Sequence, residues 1–370
     1  MKKILYSILI FLLILLNFST VCADDVDNEV DFEDTIEVTA SNVSELPKTN
    51  SRRYIVYDRI SKSMIIGKNE DVKSAMASTT KIMTTIVILE KANLNEKVTV
   101  SAKAGGTGGS RLGLKRGDKA SVRDLLYGLM LRSGNDAAVA LAEHVGGSVK
   151  GFAELMNEKA IELGLTNTHF VTPHGLDDAN HYTTALELAK LTDYAMNNET
   201  FAKIVGTKST TIYINNQSRQ INNTNELLGV LNGVVGVKTG FTNNAGRCLV
   251  TETKRNNMDI ITIVLGADTK KDRTKDSVNL IEYTFSKYKM YNLEEQIIKE
   301  FNKWKNINEK RILIIKGKTS NPKLALGAIE KATIPICDND KIEYSINALT
   351  EVEAPVEQWN VMGTLTVKIN

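Results

Sequence analysis

Ala77-Ser78-Thr79-Thr80-Lys81, followed by the apolar run Ile82-Met83-Thr84-Thr85-Ile86-Val87-Ile88-Leu89, is the stretch on which the rest of the chain turns. A serine that opens a helix, with a lysine three residues on, presents its hydroxyl and the amine on one face of the first turn. An amine placed there can activate a serine nucleophile without a histidine. The helix behind the pair is apolar on nearly every side, so it is expected to run through the core and hold the pair rigidly. Spacing alone does not single out this pair, because Ser286/Lys289 and Ser320/Lys323 repeat it.

The 370 residues leave room for two domains, and 42% hydrophobic with 24% charged residues is ordinary for a soluble globular protein. The 46 basic and 44 acidic residues include Lys2 and Lys3, so the chain without its first segment is neutral and lacks the basic footprint of a nucleic-acid binder. Lys2-Lys3, the apolar stretch Ile4 to Leu16 and Val21-Cys22-Ala23 read as a secretory signal peptide over 1–23, cleaved after Ala23. An uncleaved anchor is the weaker reading, since a membrane span needs about 20 apolar residues. Ser19-Thr20-Val21 is a poor setting for a lipoprotein cysteine at Cys22. Asp24 to Glu37 carries eight acidic residues and no basic one, and 24–49 reads as an acidic, solvated linker. Cleavage leaves Cys248 and Cys337, too few for a disulfide framework; both are expected to be free thiols buried in strands.

Tyr54 to Asp58 and Met64 to Ile66 predict a β-hairpin at a sheet edge, and Lys97 to Val100 a further strand. The glycine-rich stretch Gly105 to Gly109 lacks the Gly-Lys-Ser/Thr of a phosphate loop and reads as a flexible surface loop. Ser121 caps a predicted helix to Leu131, and a second helix runs from Asp136 to His144, with Ser133-Gly134-Asn135 in the turn between them. Phe152 to Leu163 is amphipathic. Its Glu154 could pass for the water-activating glutamate of a β-lactamase but is better read as solvent-facing. None of His144, His169, His174 and His181 has metal-ligand spacing, and no cofactor or metal is expected. Gly233 to Thr242 is a β-branched strand carrying Lys238-Thr239-Gly240, and Arg247 to Thr253 and Met258 to Leu265 pair about a turn at Asn256-Asn257. Strands placed on both sides of a run of helices suggest an α+β fold with antiparallel pairing and helices packed on the sheet. Ser277 to about Asn302 looks helical, and the short alternating strands after it suggest a smaller all-β domain over 289–370.

Ser78-x-x-Lys81, Ser133-x-Asn135 and Lys238-Thr239-Gly240, on helix, turn and strand in that order, are the three motifs of penicillin-recognising serine enzymes. With their flanks Ala77 to Thr84, Leu131 to Asp136 and Gly236 to Thr242, the chain resembles the low-molecular-mass penicillin-binding proteins, serine-type D-alanyl-D-alanine carboxypeptidases of peptidase family S11. Pro173-His174-Gly175-Leu176, Tyr182 to Ala185 and Asn223 to Leu228 add to the likeness, which is strong over about 50–285 and fainter beyond. It implies a five-stranded antiparallel sheet covered by helices, the β-lactamase/DD-peptidase fold, in a catalytic domain at 50–288.

The resemblance also implies roles for residues. Ser78 is the nucleophile, Lys81 its base and Ser133 a proton relay, while Asn135, Lys238, Thr239, Gly240 and Phe241 bind substrate. The backbone N–H groups of Ser78 and Phe241 form the oxyanion hole, and Lys238 and Thr239 receive the substrate carboxylate. Lys81 acts as a base only if burial and the nearby charge of Lys238 bring its pKa well down from the ordinary lysine value. The implied partners are peptidoglycan stem peptides ending in D-Ala-D-Ala and, as covalent inhibitors, β-lactam antibiotics. A β-lactamase and a non-catalytic penicillin sensor or wall-binding module are the rival readings. The expected location is extracytoplasmic, in the wall space or at the outer face of the membrane. The amphipathic membrane-binding helix usual in the family is not found before Asn370, so peripheral membrane association stays open.

Overall fold

A computed structural model of the chain describes residues 45–317, 322–329, 331–358 and 360–369. The signal peptide, most of the acidic linker and Ser320 lie outside the described residues. The chain opens with the expected hairpin, β1 (Arg53–Asp58) and β2 (Ser63–Lys68). A single 3-10 turn, Ala77–Thr80, leads into α1 (Lys81–Lys91), so Ser78 stands in the turn just before the helix. Next come β3 (Lys97–Thr99), the short α2 (Ala102–Gly105), β4 (Lys119–Ser121), α3 (Val122–Leu131), α4 (Asn135–Gly146) and α5 (Val149–Glu162). Then follow α6 (Ala185–Met196), α7 (Glu199–Val205), β5 (Ser209–Ile214) and β6 (Gln217–Asn222). The long strands β7 (Val234–Thr242), β8 (Gly246–Arg255) and β9 (Met258–Ala267) precede α8 (Lys270–Lys287).

The main sheet has the order β2-β1-β9-β8-β7, and every neighbouring pair is antiparallel. Its faces follow from period-2 alternation. Ile55 and Tyr57 of β1 join the large apolar cluster that contains α1, whereas Tyr54 and Val56 join a second cluster with Leu280 of α8. Both faces are therefore covered, which is why β9 is buried along nearly its whole length. Asn256 and Asn257, with φ of 49° and 63°, form the two-residue turn between β8 and β9; positive φ at both positions matches the right-handed strand twist. Ser121 caps α3 by accepting from the Asp124 N–H, as its position predicts.

Two features pin the turn around Ser78 and Lys81. α1 is buried from Lys81 to Ile88, so its first turn is held from every side. β7 forms one end of the sheet order, and its outer edge passes the Ala77–Thr80 turn: a Cβ added at Gly240 would lie 3.0 Å from the Ser78 nitrogen. Beyond α8 lie β10 (Tyr288–Asn292), α9 (Glu294–Asn308), β11 (Leu313–Ile315), β12 (Thr333–Cys337), β13 (Ile342–Ala348), β14 (Glu351–Glu353) and β15 (Gly363–Ile369). The strands pair as small two-stranded sheets, and α9 adds a helix whose Ile297 packs with Leu293 and Ile336. Both cysteines are free thiols; Cys248 is buried as expected, but Cys337 is only half-buried because its sheet is thin.

Candidate active site

Lys81 Nζ lies 2.7 Å from Ser78 Oγ, 2.8 Å from Asn135 Oδ1 and 2.9 Å from the carbonyl oxygen of His174. The side chains of Lys81, Ser78 and Asn135 are all buried. The amide and peptide oxygens can only accept, so both take hydrogens from the amine. The Ser78 contact is to a hydroxyl, which can donate. A neutral Lys81 held by its two acceptors therefore meets the Ser78 O–H with its lone pair, as a base for Ser78 requires. Asn135 is oriented from its other end, where Nδ2 donates to the carbonyl of Gly108 at 2.8 Å.

That bond corrects one expectation. The glycine-rich stretch does lie at the surface, with Gly106 and Gly108 exposed, but it is not free, because it also forms a wall of the site. Asp136, next to Asn135 and fully buried, accepts from the backbone N–H groups of Leu112, Gly113, Leu114 and Ala137 at 2.8–2.9 Å. The Asn135 N–H donates to Ser110 O at 2.8 Å. Order comes to the loop from α4 and from α2, whose Ala102 and Ala104 carbonyls accept from the Gly106 and Thr107 N–H groups, and not from its own composition.

Ser133 occupies the turn before α4 with φ of 57°, in the left-handed region, and is buried; its Oγ meets no hydrogen-bond partner among the described residues. Lys238 is buried, and its Nζ donates to Thr239 O at 2.8 Å. The hydroxyls of Thr239 and Thr224 lie 2.7 Å apart. Phe241 carries the Arg247 guanidinium 3.8 Å from its ring centroid. Ser78, Lys81 and Asn135 are thus in direct contact, and Gly240 brings β7 against the Ser78 backbone.

Of the serine rivals, Ser286 is exposed on α8 and donates to Tyr283 O, the ordinary behaviour of a helical serine. Glu154 is exposed on α5, while Asn157 on the same helix ties itself to Phe170 by two bonds of 2.8 Å. Among the described residues no cluster of His, Cys, Asp or Glu could hold a metal ion. His174 and His181 instead contact the Ser78 turn and the start of α1, through Lys81 and Thr80. Burial, with Lys81 next, pushes the His174 pKa down to about 3, and burial above all takes His181 to about 4. Both rings are neutral at pH 7. From the sequence, His181 is weighed only as a metal ligand and Arg273 is passed over; Arg273 is buried on α8 and 3.6 Å from Glu226, two residues beyond Thr224. An arginine isolated in a helix of alternating charges gives no sign of burial.

The sequence model of peptidase S11, described as D-alanyl-D-alanine carboxypeptidase, matches residues 39–269. The chain belongs to the peptidase S11 family. Among its S11 relatives, D-alanyl-D-alanine carboxypeptidase DacF of Bacillus subtilis is 33% identical over 321 residues, covering 85% of this chain and 80% of that protein. DacC of Escherichia coli, with the same description, is 34% identical over 357 residues, covering 90% and 83%. The crystal structure of a Streptomyces DD-transpeptidase superposes with a TM-score of 0.62 at 35% identity, over 65% of this chain and 99% of that one. The five-stranded antiparallel sheet with its helices is the fold of these S11 and penicillin-binding neighbours, and the small C-terminal sheets are additional to it.

Proposed function

We propose that the chain is a serine-type carboxypeptidase that removes the terminal D-alanine from peptidoglycan stem peptides ending in D-Ala-D-Ala, through an acyl-enzyme at Ser78. The observation that carries this reading is the Lys81 amine, buried and held 2.7 Å from Ser78 Oγ by two acceptor-only groups. Ser78 Oγ attacks the penultimate D-Ala carbonyl while its proton passes to Lys81. The negative charge that develops on the carbonyl oxygen is met by the N–H groups of Ser78 and Phe241, a contribution of the kind worth about 3 kcal/mol. The C–N bond then breaks, the amine of D-alanine gains a proton by way of Ser133, and water hydrolyses the ester. Lys238 and Thr239 receive the free carboxylate at the end of the peptide, and β-lactams acylate the same serine. The relatives named D-alanyl-D-alanine carboxypeptidase support the substrate class.

The test is labelled penicillin together with a diacyl-Lys-D-Ala-D-Ala peptide. The protein is expected to bind the label covalently and release D-alanine, Ser78→Ala to do neither, and Ser286→Ala to do both. Labelling that survives Ser78→Ala would sink the assignment. Rapid penicillin hydrolysis would favour a β-lactamase, and absence of D-alanine release a sensor. Export across the membrane, with a role in wall biogenesis and cell shape, rests on the 1–23 leader; cell fractionation tests it. No helix among the described residues is long and apolar enough to cross a membrane.

A further inference from the structure

Ala77, the residue before the proposed nucleophile, has φ of 47°. A side-chain-bearing residue persists in the left-handed region only where its surroundings hold it there. The surroundings here converge on the Ala77 carbonyl. Thr80 Oγ1 donates to it at 2.8 Å, and the same hydroxyl lies 2.8 Å from Nε2 of His181, 101 residues further on. The opposite side of the His181 ring fixes the direction of that contact: the Val171 N–H donates to Nδ1 at 2.9 Å. Nδ1 is therefore an acceptor, the neutral ring carries its hydrogen on Nε2, and Nε2 donates to Thr80. Phe170 meets the ring edge-on at 5.7 Å. Gly175 closes the arrangement. At φ of 89° a Cβ there would come within 1.9 Å of the Ala77 oxygen, so only glycine lets this loop lie against the carbonyl.

The Ala77 carbonyl and the Ser78 N–H belong to one planar trans peptide and point in opposite directions. Holding the carbonyl on the His181 side turns the N–H the other way. The Ser78 nitrogen does lie on the β7 side, 3.0 Å from where a Gly240 Cβ would stand, next to Phe241. We propose that His181 and Thr80 are positioning residues: a tautomer-fixed relay, His181 Nε2–H to Thr80 Oγ1–H to Ala77 C=O, holds the Ala77–Ser78 peptide so that the Ser78 N–H serves as oxyanion donor. The proposal rests on the reading of Ser78 as nucleophile, and neither residue touches substrate.

The experiment is rapid-mixing acylation by a chromogenic penicillin, which separates the acylation rate constant from the affinity of the unreacted complex, with melting temperatures measured alongside. Thr80→Val keeps the shape and removes the hydroxyl; the rate constant is expected to fall between about tenfold and a hundredfold with the affinity unchanged. Thr80→Ser restores it. His181→Gln keeps a donor near the Nε2 position and retains most of the rate, whereas His181→Asn keeps only an acceptor near Nδ1 and loses it. Combining Thr80→Val with His181→Asn costs no more than Thr80→Val alone, because one chain is being cut twice. An unchanged rate constant in Thr80→Val overturns the relay, and so does an equal loss in His181→Gln and His181→Asn. Should Thr80→Val not fold, the two histidine variants decide alone. Failure of the unaltered protein to be acylated at all overturns the Ser78 reading and the relay with it, a result distinct from any of these.

Discussion

Ser133 carries two local costs. Its Oγ is buried without a hydrogen-bond partner among the described residues, and its backbone sits at φ of 57°. An unsatisfied buried hydroxyl costs about 1–3 kcal/mol, and an apolar replacement of the same shape removes that cost. Ser133→Ala is therefore expected to melt at or slightly above the temperature of the parent. The same change should slow D-alanine release by about a hundredfold or more, since general acid–base contributions run to that size. Thermal melts and turnover on one preparation check both halves; unimpaired turnover would remove Ser133 from the proton path. At this scale the sequence could find the three motifs but could not rank three equal Ser-x-x-Lys spacings by geometry. Burial separates the two that are described: Ser78 stands against a buried amine, and Ser286 is exposed. Thr80 and His181 were illegible because their partnership spans 101 residues and depends on a tautomer, which no spacing rule encodes.

The element that most shapes the site is the N-terminus of α4, where Asp136 gathers the N–H groups of Leu112, Gly113, Leu114 and Ala137. A carboxylate accepting several backbone donors at a helix start is favoured by its charge and by the helix dipole. Asp136→Asn replaces one acceptor oxygen with an N–H2 group facing N–H groups, and a loss of about 3 kcal/mol is expected. Because Asn135 hangs from the same wall through Gly108, KM for the peptide should rise as well. Denaturant unfolding and steady-state kinetics measure this, and an unshifted midpoint would show that the clamp contributes nothing. Elements governed by local chemistry were legible: the Ser121 cap, the Asn256-Asn257 hairpin and the apolar α1 all stand where their residues put them. The stretch from Gly105 to Gly109 was misread because glycine content reports backbone freedom in the unfolded chain. The acceptor that orders the segment following those glycines lies 24 residues away from Leu112.

Across the whole molecule, the sheet is tied to α6 by a cluster of charges that no single element reveals. Arg59, just after β1, reaches Asp193 on α6 at 3.0 Å, Glu252 on β8 at 2.5 Å and Asp259 on β9 at 3.0 Å. Even with Lys254 Nζ 3.1 Å from Glu252 and Lys62 pairing Asp193, these cations do not offset the burial of Glu252, whose pKa is raised to about 7 by burial first and by Asp259 next. In the unfolded chain that group titrates near 4.5. Between these values the folded state holds a proton that the unfolded state has released, so this group's contribution to stability falls as pH rises from about 4.5 to about 7 and is then level. His174 and His181 act in the opposite sense over nearly the same window. Their folded pKa values of about 3 and 4 lie below the unfolded 6.5, and stability is lost as pH falls below 6.5. The raw stability curve therefore mixes opposing slopes, and the difference between parent and Glu252→Gln isolates one of them. That difference is expected to favour the variant by up to about 3 kcal/mol more at pH 8 than at pH 4.5. Denaturant unfolding of both proteins across that range is the measurement; a difference that does not change with pH would mean that Glu252 is ionised in the folded protein throughout.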